Sequence, residues 1–348
     1  MLFVFELDII NPIMKRILLF LISLFTGIGL FFWIGKIVGW QEIKNAFLVF
    51  TGWKGIIIFI LTFLMVLIGN WKWKEILKWQ KVEISFWELF KSYLAGFSVM
   101  FLAPVLVWGG EVLRGYILRQ KNKVPWPKLM ASVFIDRILE WTVNLVIIFL
   151  GVLLFLYKIG LPPKNLLIIF GGAFVVFSFG IFYFYFKIFK KESVARFFLK
   201  ITGLKNFSRS NAIMEAENEV FDFFRLEGKS IRKAFALSFF RAIVMHLRAW
   251  ILIIFLSKKI DILSALSVLG FTYLAAMIPL PAALGSHEAI QTFAFNSLGL
   301  GSSTAAAFTM IIRGAELLLA FLGLAMLFRV GVSFIKNLLF KDTKIIHQ

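Results

Sequence analysis

The stretch Ala103–Gln120, APVLVWGGEVLRGYILRQ, places a proline, two adjacent glycines, a glutamate and an arginine between apolar segments. Such residues are costly in a spanning helix, because Pro and Gly interrupt it and each ionisable side chain costs about 2.5–3.5 kcal/mol at its centre. Irregular backbone at membrane depth persists only inside protein or beside a water-filled cavity. In a membrane protein, this stretch therefore predicts a broken helical hairpin buried within the protein.

The composition of the chain is typical of an integral membrane protein. Of 348 residues, 60% are hydrophobic and 16% are charged, and the mean hydropathy is +0.89. Soluble domains contain roughly 25% charged residues. The net charge of +19 by itself could indicate nucleic acid, but in so apolar a chain it indicates topology and contact with anionic lipid, and we expect no nucleic-acid partner. The absence of cysteine excludes disulfides and thiolate metal sites.

Apolar runs of about 20 residues predict six spanning helices. Three further apolar pieces are short or interrupted by Pro and Gly, and we expect them to form two re-entrant hairpins that enter from opposite sides. The predicted fold is therefore a single all-α polytopic domain over residues 1–348, arranged like an inverted repeat, although no repeat is evident residue by residue. The predicted spans are about 17–35, 55–71, 138–157, 165–186, 235–256 and 304–328, and the short pieces are about 92–107, 262–279 and 287–299.

The distribution of basic residues predicts the orientation of the chain. With the hairpins placed as above, 27 of the 38 Lys and Arg fall on the cytoplasmic side and 7 outside, as the positive-inside rule requires. Both termini are then cytoplasmic, and the first apolar run is an uncleaved helix. We expect a multi-pass protein of the cell (plasma or inner) membrane, with residues 187–233 as a cytoplasmic amphipathic segment.

Ionisable residues within apolar segments are the candidate functional residues. Arg241 and Arg248 lie seven positions apart, on one helix face and roughly 10 Å from each other. Asp136 and Glu140 share a face at i, i+4. Arg137 can reach Glu140, and Arg313 can reach Glu316, at i, i+3. Structural ion pairs, snorkelling of Arg241 to the interface and anion binding all remain open.

Both hairpins carry the signals of a helix that begins at mid-membrane. Such a helix directs free N–H groups and the positive end of its dipole at its surroundings, which favours an anion. In the first hairpin the turn and cap candidates are Pro104, Gly109, Gly110 and Glu111, with Arg114 one turn later; in the second they are Pro279, Pro281, Gly285, Ser286 as N-cap, and Glu288. Capping alone would also explain the two glutamates.

Four segments resemble one known family. APVLVWGGEVLRGYIL, SVFIDRILEW, MIPLPAALGSHEA and IIRGAELLLAFLG are similar, in order, to the motifs of the lysylphosphatidylglycerol synthase transmembrane family, also called flippase-like or UPF0104 proteins. The chain has Ala282 and Ala283 where the family often has glycine. We expect no counterpart of the aminoacyl-transferase domain of two-domain synthases.

The resemblance implies a lipid translocase or lipid-binding module. An anionic phospholipid or polyprenyl-phosphate head group would bind Arg114, Arg137, Arg241, Arg248 and Arg313. We expect no catalytic residue, cofactor or metal; a homo-oligomer stays open. The alternatives are a membrane glycosyltransferase or other lipid-modifying enzyme, and a non-transporting accessory subunit. The predicted outer loops contain only Glu42 and Asp261 as acids, which disfavours an enzyme. Candidates for ion pairing or proton coupling are Asp136, Glu140, His287, Glu288 and Glu316.

Overall fold

The computed structural model describes residues 52–102, 109–190, 192–193, 210–225, 228–256, 259–277 and 286–341. This part of the chain contains ten α-helices and no β-strand, which confirms the all-α prediction. The helices are α1 Trp53–Trp79, α2 Phe86–Leu102, α3 Gly109–Asn122, α4 Trp126–Ile159, α5 Lys164–Lys190, α6 Ser210–Arg225, α7 Lys229–Phe255, α8 Ile262–Met277, α9 Ser286–Ser297 and α10 Ser302–Lys341.

Among the described residues, five helices are long and apolar enough to cross a membrane: α1, α4, α5, α7 and α10. They coincide with five of the six predicted spans, and the sixth, 17–35, lies outside the described residues. By contrast, α2, α3, α8 and α9 have 17, 14, 16 and 12 residues. At 1.5 Å per residue each is about 18–26 Å long, shorter than the roughly 30 Å hydrocarbon core.

The bundle has two ends, which the contacts of α1 define. At its start, Lys54 donates a hydrogen bond to the carbonyl of Phe255 at the end of α7 (3.4 Å). Just after its last residue, Gln80 donates a hydrogen bond to Glu219 of α6 (3.3 Å). We refer to these as the Phe255 end and the α6 end.

Two helical hairpins open at opposite ends of the bundle, and each begins and ends at the same end. Glu88, at the start of α2, pairs with Lys121 at the end of α3 (2.9 Å), so both open ends of this hairpin lie at the α6 end. Asp261, just before α8, pairs with Lys158 at the end of α4 (2.6 Å). Leu300, after α9, packs in one cluster with Ile253, so the α8–α9 hairpin opens at the Phe255 end.

The helix α6 lies within the predicted amphipathic segment 187–233. Its apolar side chains Val220 and Phe221 are buried, in one cluster with Ile76 of α1 and Ile135 of α4. The apolar face of α6 therefore covers one end of the bundle.

Four helices of the second half repeat four helices of the first in inverted orientation. The pairs begin at residues 53 and 229, 86 and 262, 109 and 286, and 126 and 302, so the offset is 176 or 177 residues throughout. The packing repeats as well: α2 lies on α10, its counterpart α8 lies on α4, and α1 packs on α7 at the centre. The inverted repeat expected from topology is thus present, and its register differs by one residue only at α3 and α9.

Candidate functional site

The α2–α3 hairpin holds its two helices together through glycines. A Cβ atom on Gly110 would lie 2.2 Å from the carbonyl oxygen of Gly96 and 2.9 Å from the Cβ of Met100. Real Cβ atoms do not approach so closely, and only glycine permits this crossing. The close contact brings Glu111 and Arg114, one and four residues further along α3, against the neighbouring helices.

Asp136 of α4 is the centre of a buried charged cluster. Its carboxylate lies 2.8 Å from Lys72 Nζ, 2.6 Å from Arg114 Nη2 and 3.3 Å from Arg137 Nη2. Asp136 and Lys72 are almost completely buried. A carboxylate in such surroundings is tolerable only because three cations surround it.

Glu140, one turn further along α4, extends the cluster to α7. Arg137 Nη2 lies 2.8 Å from its carboxylate, which confirms the i, i+3 pairing predicted from the spacing. Arg241 of α7 donates to the other oxygen of Glu140. Glu111 joins the cluster through a longer contact, 3.6 Å from Arg137 Nη1.

Within the described part of the chain, this group contains four cations and three carboxylates, one positive charge in excess. The Nε atoms of its three arginines are buried, and none has a hydrogen-bond partner there. Excess charge and unused guanidinium donors at membrane depth are costly unless an anion compensates them. We call this group the Asp136 cluster; its members are Lys72, Glu111, Arg114, Asp136, Arg137, Glu140 and Arg241.

The arginines of the Asp136 cluster differ in their surroundings. The guanidinium of Arg114 lies over the ring of Trp73 at 4.4 Å and over that of Tyr93 at 5.0 Å, distances at which cation–π attraction holds it. Trp73 is itself fixed by a hydrogen bond from its indole N–H to Ser132 Oγ (3.0 Å). Arg114 is therefore held as a structural cation.

Arg137 and Arg241 have more accessible side chains than Arg114, with about 15% of each exposed. Both line a cavity between α1, α2, α3, α4 and α7, which Glu111, Arg114 and Gly110 also line. Its free volume is about 20 Å³, room for a water molecule or two. A phosphate group can enter only if the helices around it move apart.

A second charged group lies nearer the Phe255 end. Arg248 of α7 lies 3.1 Å from Glu316 of α10 and donates a hydrogen bond to Thr62 of α1 (3.1 Å). Only 4% of Arg248 is exposed, and its Nε has no partner in the described part of the chain. The structure thus brings Arg114, Arg137 and Arg241 together in the Asp136 cluster and places Arg248 in a separate group.

The other predicted site residues fall in several places. Arg313 lies partly buried on α10, one turn before Glu316. Ser286, His287 and Glu288 form the first turn of α9, but their side chains are outside the described part. Other hairpin residues are not among the described residues at all: Pro104, Pro279, Pro281 and Gly285.

Lys72 is not among the site residues predicted from the sequence, because the predicted topology places it with the cytoplasmic basic residues. Lys72 follows an apolar run directly, so hydropathy alone ends the span before it. The signal that could have found it is helical continuity, because Trp73, Ile76 and Leu77 continue the buried face of α1.

Two of the motifs behind the family resemblance therefore meet in the Asp136 cluster, one on α3 and one on α4. The sequence profile of the lysylphosphatidylglycerol synthase TM region matches residues 18–323. The chain belongs to this family. It is a multi-pass membrane protein, as the five long apolar helices in its described part also indicate.

Two relatives of this family member are UPF0104 membrane proteins. One, from Methanocaldococcus jannaschii, is 24% identical over 268 residues, which cover 74% of this chain and 79% of the relative. The other, from Pyrococcus horikoshii, is 27% identical over 317 residues, which cover 86% of this chain and 92% of the relative. No solved structure matches the chain.

Proposed function

We propose that this family member binds the phosphate group of an anionic lipid, a phospholipid or a polyprenyl phosphate, in the Asp136 cluster and moves it across the membrane. The observation that carries this proposal is the excess positive charge of the cluster, with buried guanidinium donors beside a cavity. A lipid phosphate supplies the missing anion and accepts hydrogen bonds from Arg137 and Arg241. The acyl or prenyl chains remain in the bilayer.

The two short-helix hairpins support a translocation path. We interpret α2–α3 and α8–α9 as re-entrant, because each pair starts and ends at one end of the bundle and its helices are too short to cross. Interrupted helices in corresponding positions of two inverted halves are typical of transporter substrate sites. On this interpretation the α6 end is cytoplasmic.

The alternative of a lipid-modifying enzyme has weaker support. General acid–base chemistry needs a group that exchanges a proton readily. Asp136 and Glu140 are each paired with two or more cations of the same cluster. We therefore assign them to the structure of an anion site and propose no catalytic role for them.

The proposed function is tested by a translocation assay with sided quenching. The full chain is reconstituted into vesicles containing acyl-labelled phosphatidylglycerol or phosphatidylcholine, and dithionite quenches the outer leaflet only. We expect labelled phosphatidylglycerol from the inner leaflet to move outward and be quenched faster than in protein-free vesicles, with a smaller effect on phosphatidylcholine. Equal behaviour of protein-containing and protein-free vesicles for both lipids would refute the proposal.

The variant Arg137→Gln is expected to weaken phosphatidylglycerol binding about ten-fold or more, the scale of a charged hydrogen bond of 1.5–3 kcal/mol. Lipid binding to the purified protein and its melting temperature are measured together. Arg119→Gln is the matched control, because Arg119 is exposed on the same hairpin. Similar losses of affinity in both variants would show that bulk charge, and not the cavity, attracts the lipid.

The orientation is tested with single cysteines, since the chain has none. We expect an impermeant maleimide to label Asp261→Cys in intact cells and to label Ser193→Cys only after the membrane is opened. Both positions lie outside the long apolar helices, at the Phe255 end and the α6 end respectively. Labelling of position 193 in intact cells would reverse the proposed topology.

A further inference from the structure

The inverted repeat extends from the helices to the charged side chains. On α4 and α10, positions 176 apart carry the same pair at i, i+3: Arg137 with Glu140, and Arg313 with Glu316. On α1 and α7, the positions 176 apart that face these pairs are both cationic, Lys72 and Arg248. The matched positions carry charged side chains, whereas most positions between them are apolar.

The contacts of these side chains repeat with the sequence. Lys72 Nζ lies 3.8 Å from Glu140 Oε2, and the counterpart Arg248 Nη1 lies 3.1 Å from Glu316 Oε1. Each half therefore pairs a cation of its first long helix with a glutamate of its last one.

A buried hydroxyl accompanies each of these pairs. Thr62 accepts a hydrogen bond from Arg248, and Ser238, its counterpart 176 residues later, lines the same cavity as Lys72. Thr62 and Ser238 both donate a hydrogen bond to the carbonyl four residues earlier, at 2.7 and 3.1 Å. The two groups are thus built alike, each hydroxyl coming from the opposite half.

The helix crossings that position the two groups also correspond. A Cβ on Gly323 of α10 would lie 2.2 Å from the carbonyl oxygen of Leu94 on α2. A Cβ on Gly270 of α8 would lie 3.4 Å from the carbonyl oxygen of Ile147 on α4. Leu94 corresponds to Gly270 and Ile147 to Gly323, again 176 residues apart, so the inverted register holds in three dimensions.

We infer that Arg248, Glu316 and Thr62 form a second site for the phosphate group of an anionic lipid, the inverted counterpart of the first site. This inference rests on the proposed function and adds a second place where the same ligand binds. Arg248 lies seven residues before the end of α7, and Lys72 lies seven residues before the end of α1. Each is about 10 Å from its own end of the bundle, so the two sites serve opposite sides.

The second site is built with fewer fixed partners than the first. The positions that correspond to Arg114 and Asp136 are Gln291 and Ile312, so the site lacks a counterpart of the carboxylate at the centre of the first cluster. Arg248 has a single carboxylate partner in the described part of the chain, and its buried Nε donor is unused. A phosphate oxygen would accept from that donor in the bidentate geometry that guanidinium favours.

The test counts bound lipids on the intact chain by native mass spectrometry, with phosphatidylglycerol as the probe and phosphatidylcholine as the reference lipid. We expect two tightly bound phosphatidylglycerol molecules on the wild type and one on Arg248→Gln. Arg248→Lys keeps a cation beside Glu316 and introduces the residue type found at the corresponding position, Lys72. It is expected to stay folded and to weaken binding of one of the two lipids about ten-fold or more.

The outcomes distinguish failure of the second site from failure of the proposed function on which it rests. A single bound phosphatidylglycerol that is lost in Arg137→Gln and retained at full affinity in Arg248→Gln and Arg248→Lys would overturn the second site and leave the proposed function intact. A wild type without preference for phosphatidylglycerol over phosphatidylcholine would overturn both. Arg119→Gln, which removes an exposed arginine, must leave the number of bound lipids unchanged.

Discussion

Replacing Asp136 with asparagine is expected to lower the free energy of unfolding by about 3–5 kcal/mol, the usual cost of breaking a buried ion pair from one side. The asparagine has the same shape, so packing changes little. The loss arises because Lys72 and Arg114 would lose the carboxylate nearest to them, and the excess positive charge of the cluster would double. Equilibrium unfolding of the purified chain in mixed micelles measures this change in the free energy of unfolding.

The matched control is Asp261→Asn, the same substitution in an exposed ion pair. Asp261 pairs with Lys158 at 2.6 Å, with 52% of its side chain exposed, and such pairs contribute about 1 kcal/mol or less. Hydrogen bonds from Lys158 and then from Ser264 lower the pKa of Asp261 below its usual range. Its small contribution is therefore present at neutral pH and is lost as the pH falls through the lowered pKa. Equal losses in both variants would contradict a special role of Asp136.

The spanning helices could be predicted because the bilayer imposes one simple rule, a sufficient length of apolar residues. The rule fails at helix ends whose position depends on contacts with other helices. The first described span was predicted to end near residue 71, whereas α1 continues to Trp79. Lys72 is accommodated there by Asp136 of α4, which lies 64 positions later in the chain. A hydropathy profile contains no information about such a partner.

Local spacing predicted part of the candidate site and could not predict the rest. The pair Arg137–Glu140 follows from helical geometry alone. The pair Arg248–Glu316 joins residues 68 positions apart, and its existence depends on how α7 packs beside α10. The division of the arginines into two groups, one near each end of the bundle, is therefore a property of the packing.

The inverted repeat escaped detection in the sequence for a related reason. Positions that face lipid accept any apolar side chain, so the two halves have diverged there. The correspondence survives at few positions, such as Arg137 with Arg313 and Glu140 with Glu316. Those matches become significant only when helices of opposite direction are known to make equivalent contacts.

The glycine crossing of the first hairpin predicts a second large effect, from the substitution Gly110→Ala. The added Cβ would meet the backbone oxygen of Gly96 at 2.2 Å, and backbone cannot yield as a flexible side chain can. The hairpin must open, at a cost of about 1–3 kcal/mol in stability or more. Because Glu111 and Arg114 follow on α3, the same displacement should alter the cavity and weaken phosphatidylglycerol binding.

Gly172→Ala provides the control, since nothing lies within 4 Å of a Cβ at that position in α5. Alanine favours a helix interior by about 0.5–1 kcal/mol over glycine, so this variant should be unchanged or slightly more stable, with normal lipid binding. Unfolding and lipid binding are measured on both variants. If Gly110→Ala behaves like Gly172→Ala in both measurements, the close hairpin does not set the geometry of the anion site, and the site must be formed by α1, α4 and α7.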